Sequence, residues 1–133
     1  MSQILLVDDN AVFCQALCQT LARAGHEVRT AANGAVALKL FLQGATDLVI
    51  TDLIMPEREG LETIMALRQL RPDIRIIAIS GGGRMEPSTC LAMAEHLGAA
   101  RTLAKPFTAR AILEAVAAVL AEEPEPAPSP VSA

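Results

Sequence analysis

Three short apolar runs, Ile4 to Val7, Leu48 to Ile50 and Ile74 to Ile79, are continuous rather than alternating. That is the pattern of strands buried on both faces of a parallel sheet, and it leaves few folds open. Two weaker runs, Glu27 to Ala31 and Ala100 to Ala104, bring the number of predicted strands to five. Between them hydrophobic residues recur three or four apart: Phe13, Leu17 and Leu21; Leu38, Phe41 and Leu42; Leu61, Ile64 and Leu67; Leu91, Ala94 and Leu97; Ile112, Val116 and Val119. Five strands alternating with five amphipathic helices predict an α/β domain, a doubly wound parallel sheet with helices on both faces.

Punctuation agrees with this division. Gly25 ends the first helix, Asn33-Gly34 opens the second, Pro72 helps stop the third, and Gly98 closes the fourth. From Glu122 onward the sequence changes to Glu, Pro, Ala and Ser, with Pro124, Pro126, Pro128 and Pro130 at every second position. Such a segment cannot build a core. The 133 residues therefore divide into one domain over 1–121 and a Pro/Glu-rich tail over 122–133 expected to be disordered.

Composition narrows the function. Aromatic residues are 2% of the chain, three Phe with no Tyr or Trp, too few for a stacking platform for single-stranded nucleic acid or for an aromatic cage. A net charge of -4 argues against direct nucleic-acid binding, which calls for clustered Lys and Arg. Three Cys cannot all pair, and Cys14 and Cys18 lie four apart on one helical pattern, so reduced thiols are expected. No apolar run approaches the roughly 20 residues that span a bilayer. The expectation is a soluble, cytoplasmic protein without membrane insertion.

In a doubly wound sheet, ligands bind beyond the carboxyl ends of the strands. The first strand ends on Asp8 and Asp9, the third on Asp52, the fourth on Ser80 and the fifth on Lys105-Pro106. Two carboxylates about 4 Å apart repel by on the order of 4 kcal/mol at an effective dielectric of 20, so three on one edge call for a neutralising cation or raised pKa values, and a divalent ion is the economical answer. Oxygen donors without His or Cys favour Mg2+, with Mn2+ as a substitute. His26 and His96 are read as surface residues away from this edge. Asp9 or Asn10 is expected to cap the first helix.

Together, Asp8-Asp9, the run Asp52-Leu53-Ile54-Met55-Pro56 with Gly60, Ser80 at its strand end, and Lys105-Pro106-Phe107 resemble the receiver domain of two-component response regulators, over about residues 3 to 121. The resemblance implies the flavodoxin-like strand order 2-1-3-4-5. It implies that Asp52 accepts a phosphoryl group from a histidine kinase or a histidine phosphotransfer protein. Asp8, Asp9, Asp52 and the backbone carbonyl of Ile54 would hold Mg2+, Lys105 would pair with a phosphoryl oxygen, and the Lys105-Pro106 bond would be cis. Ser80 would donate a hydrogen bond to the phosphoryl group and draw its loop inward. A downstream protein partner would dock on the face made by the fourth helix, fifth strand and fifth helix. Overall it implies a stand-alone phosphoprotein of phosphorelay signal transduction, a signalling module whose own chemistry is at most self-phosphorylation and self-dephosphorylation.

Departures from the family pattern bear on mechanism. Thr102 stands where most receivers carry a rotating Tyr or Phe, Arg58 stands where an apolar residue is usual, and Ser80 is followed by Gly81, Gly82 and Gly83. Ile54 and Gly82 fall at the positions that flank the attacking water in dephosphorylation, and neither side chain can hydrogen-bond it, which predicts slow hydrolysis. The alternative is a metal-dependent phosphatase with an aspartyl-phosphate intermediate. Enzymes similar to the haloacid dehalogenases usually carry a second Asp two residues after the nucleophile, and Ile54 occupies that position. A flavin carrier on the same fold would want Ser and Thr, not Asp8 and Asp9, in its first loop.

Overall fold

The computed structural model of the chain describes residues 2–53, 59–80, 98–105 and 107–121, with the backbone only at 59–61 and 80. Its elements are β1 (Gln3–Val7), α1 (Ala11–Arg23), β2 (Glu27–Ala31), α2 (Gly34–Gln43), β3 (Leu48–Asp52), α3 (Glu59–Leu70), β4 (Arg75–Ser80), β5 (Arg101–Ala104) and α4 (Ala109–Ala121). The five strands form one sheet in the order β2-β1-β3-β4-β5, and each neighbouring pair is parallel. The doubly wound sheet and its strand order are therefore as expected. The helix expected around Leu91 to Leu97 and the tail after Ala121 lie outside the described residues.

Alternation along each strand divides the core in two. Leu5, Val7, Val49, Ile76 and Ala78 face Ala37 of α2 and Ile64 and Leu67 of α3. Their chain neighbours Ile4, Leu6, Leu48, Ile50, Ile77 and Ile79 face Cys14, Leu17 and Leu21 of α1 and Ile112, Val116 and Val119 of α4. The central strands β1, β3 and β4 supply both layers because successive side chains point to opposite faces. This is why the central runs are apolar throughout rather than alternating.

Capping sets the helix starts. Asn10 Oδ1 accepts from the backbone N–H of Phe13 at 3.1 Å, and Asn33 Oδ1 from that of Val36 at 2.9 Å. Asn10 rather than Asp9 is therefore the cap of α1. Gly25 and Gly98 both take φ of 97°, the left-handed conformation that comes at little cost only for glycine, and at Gly25 it follows the end of α1. Ile74 precedes β4 instead of opening it: its N–H is turned back to the carbonyl of Arg71 at 3.0 Å, while its side chain is buried.

Arginines fasten the connections. Arg68 of α3 donates to the carbonyls of Pro72 (2.7 Å), Ile74 (3.0 Å) and Gly98 (2.7 Å). Arg29 of β2 donates to the carbonyls of Leu40 and Ala45 and to Thr46 Oγ1. His26, expected at the surface, is half-buried at the amino end of β2, and its Nδ1 is buried without a hydrogen-bond partner among the described residues. It does sit at the sheet edge opposite the acidic strand ends. Among the described residues no helix is long and apolar enough to cross a membrane.

Candidate phosphoryl and metal site

The order β2-β1-β3-β4-β5 makes the chain depart in opposite directions from β1 and β3, and the crevice beyond their carboxyl ends is the natural ligand position. Asp8 lies just past β1. Its N–H is bonded to the carbonyl of Ala31 at 3.0 Å, and its Oδ1 accepts from the N–H of Asn10 at 2.8 Å. Asp52 is the last residue of β3, level with Ile79 of β4, and the N–H of Leu53 bonds the Ile79 carbonyl at 2.8 Å. Asp8 and Asp52 are 2% and 4% exposed, whereas Asp9 is open to solvent. The buried pair has its position fixed by the strands, and Asp9 closes the group from outside.

Lys105 enters from the end of β5. Its Nζ donates to Asp52 Oδ2 at 3.0 Å and to Asp8 Oδ2 at 3.3 Å. Burial alone would lower the lysine pKa, but the hydrogen bond and charge of Asp52, joined by those of Asp8, outweigh it and hold the pKa above the usual lysine value. One carboxylate oxygen from each of Asp8, Asp9 and Asp52 lies within 4.8 Å of the others. Three carboxylates against one ammonium leave this cluster a net charge of -2 when all are ionised. The donor set is hard oxygen only, which fits a small divalent cation such as Mg2+ and disfavours zinc.

A cleft of about 340 Å³ runs from Asp8 and Asp9 along α1 past Cys14 and Cys18 to Thr30 and Ala31. Both thiols are free. Burial, then the charges of Asp8 and Cys18, push the Cys14 thiol pKa up.

Phe13 is a contributor that sequence reasoning placed only in the core stripe of the first helix. Lys105 Nζ stands 3.9 Å from the centroid of the Phe13 ring. Phe107 meets the same ring edge to face, with centroids 5.8 Å apart and planes at 87°. The available signal was composition: with three Phe in the chain, two falling beside the acid pair and the Lys-Pro run is a concentration worth noticing.

The backbone of Ser80 ends β4 in register with Ala104, and Thr102 is half-buried on β5 opposite Ala78. Ser80 and Lys105 therefore come from adjacent strands at one edge. The Ser80 side chain, Ile54 with Met55 and Pro56, Arg58, Gly81 to Gly83, and the Lys105-Pro106 bond lie outside the described residues, as do Cys90 and His96.

A doubly wound sheet with acids and a lysine gathered where β1 and β3 part places the chain among the α/β domains whose ligand site lies at a topological switch point. Within that class the chain belongs to the response regulator receiver domain family, which it matches over residues 4–117. It is 38% identical over 130 residues to the DNA-binding transcriptional regulator NtrC of Azospirillum brasilense, covering 98% of this chain and 26% of that protein. It is 34% identical over 115 residues to the chemotaxis protein CheY of Bacillus subtilis, covering 86% of this chain and 93% of that protein. A receiver domain protein from Clostridium thermocellum superimposes with a TM-score of 0.83 at 28% identity, covering 90% of this chain and 94% of that one. The chain thus spans about a quarter of the NtrC relative and nearly the whole of the chemotaxis protein.

Proposed function

We propose that Asp52 accepts a phosphoryl group from a phosphohistidine on a histidine kinase or phosphotransfer protein, and that the modified domain then changes its partner binding or passes the group on. The observation that carries this reading is the buried Asp52 carboxylate held 3.0 Å from the Lys105 ammonium within the Asp8, Asp9 and Asp52 cluster. An Asp52 oxygen attacks phosphorus, the bond from phosphorus to the donor nitrogen breaks, and that nitrogen keeps the electron pair. Lys105 follows the charge from the carboxylate to a phosphoryl oxygen. Asp8, Asp9, Asp52 and the carbonyl of Ile54 would hold Mg2+. That ion offsets the negative charge that phosphoryl oxygens bring to the cluster.

Ser80 would donate a hydrogen bond to the phosphoryl group. A hydrogen bond to a charged partner contributes about 1.5 to 3 kcal/mol, whereas moving a population from 1:99 to 99:1 takes about 5.5 kcal/mol. Ser80 therefore acts with Lys105, and Thr102 leaves that work without the usual rotating ring. The partner face is assigned to the segment around 91–97 with β5 and α4. The domain's own catalysis is limited to gaining and losing its phosphoryl group, and its setting is the cytoplasm.

Incubating the chain with a small acyl phosphate and Mg2+, then comparing it with Asp52→Asn by intact mass, tests the reading. The native chain gains one phosphoryl group and the variant none. Equal gain in both, or none in the native chain, refutes it.

A further inference from the structure

Lys105 meets three groups at once: the carboxylates of Asp52 and Asp8 at 3.0 and 3.3 Å, and the face of Phe13 at 3.9 Å from its centroid. The ring is not loosely placed. Phe107 packs edge to face against it, both rings pack on the α1 and α4 core, and the N–H of Phe13 is fixed by the Asn10 cap. Two of the three aromatic side chains thus meet here, Phe13 on the ammonium and Phe107 on Phe13.

The contacts differ in what a bound cation does to them. Asp8 and Asp52 are also candidate metal ligands, so a divalent ion draws on the same lone pairs that hold Lys105 and adds a like charge beside it. The ring offers no lone pair to the metal, and its quadrupole keeps attracting the ammonium in a partly dry site. We infer that Phe13 is the positioning residue for Lys105, its ring face keeping the ammonium at the acid cluster when a divalent cation occupies the carboxylates. The inference rests on the phosphoacceptor reading for its purpose, but the placement itself is measurable without any phosphoryl group.

The chain contains two lysines, Lys39 and Lys105, so the side-chain NMR signals of a lysine-labelled sample are few, and Lys39→Arg assigns them. Protons held over a ring face are shielded. The ε-methylene signal of Lys105 is expected upfield of that of Lys39, both without and with saturating Mg2+. Phe13→Leu abolishes the upfield shift and Phe13→Tyr keeps it. With an acyl phosphate at saturating Mg2+, Phe13→Leu is phosphorylated roughly fivefold to tenfold more slowly than the native chain, while Phe13→Tyr stays close to native. A Lys105 signal that coincides with Lys39, or that returns there when Mg2+ is added, overturns the inference. So does a Phe13→Leu variant that keeps the shift or the native rate. The two native-chain spectra decide even if Phe13→Leu fails to fold. Failure of the Asp52 mass test with the upfield signal intact would remove the phosphoacceptor reading and leave the placement standing.

Discussion

Lys105 is one positive charge set against two carboxylates that are almost wholly out of water. Removing it takes away the ammonium that bridges Asp8 and Asp52 and leaves their mutual repulsion, the costly half of breaking a buried pair. Lys105→Met is expected to lower stability by about 3 kcal/mol in urea unfolding without metal, and Mg2+ is expected to recover more stability in the variant than in the native chain. Cys14 carries a different charge effect. Its thiol pKa is raised by burial and by Asp8, so at neutral pH it is expected to alkylate more slowly than Cys18, as peptide mapping would show. Because the folded pKa lies above the unfolded one, this thiol's contribution to stability is complete at neutral pH and is lost as pH rises through the alkaline range. At this scale the acids and the lysine were legible because each sits next to a strand end in the chain. Phe13 was not, since helical spacing identifies a buried stripe but cannot reveal a partner that arrives from the far end of the sequence.

Among the elements, the strands were the most legible, because burial on both faces forces unbroken apolar runs. Ile74 shows the limit of that signal: it is apolar because it is buried, yet its backbone belongs to the turn held by Arg71. Strand order was not in the periodicity at all. It came from the motif resemblance, since any order of buried strands would show the same pattern. The join between α3, β4 and β5 also escaped sequence reasoning, for Arg68 reads as an ordinary helix arginine until its three carbonyl partners are seen. Gly98 accepts from it at a φ of 97°, and a Cβ there would come within 2.8 Å of the guanidinium carbon. Gly98→Ala is expected to cost more than about 1 kcal/mol through backbone strain and loss of this contact. Arg68→Ala is expected to cost a similar amount, and the double variant less than the sum. Chemical denaturation of the three proteins checks the coupling, and strict additivity would disprove it.

For the whole molecule, the sheet acts as a partition. Ile64 on α3 and Ile112 on α4 are both buried, in different layers, so Ile64→Val and Ile112→Val, each expected to cost about 1 kcal/mol, should add to within about 0.5 kcal/mol. Thermal or urea unfolding of the set measures this. The partition matters for the site because the rings beside Lys105 belong to the α1 and α4 layer. The other layer, with α2 and α3, holds the strands in place but supplies none of the described side-chain contacts to that lysine. The two halves of the core thus reach the site by different routes: a change of shape in the α1 and α4 layer bears on the ring against Lys105, whereas one in the α2 and α3 layer bears on the acids through Val7, Ala31 and Leu53 beside them.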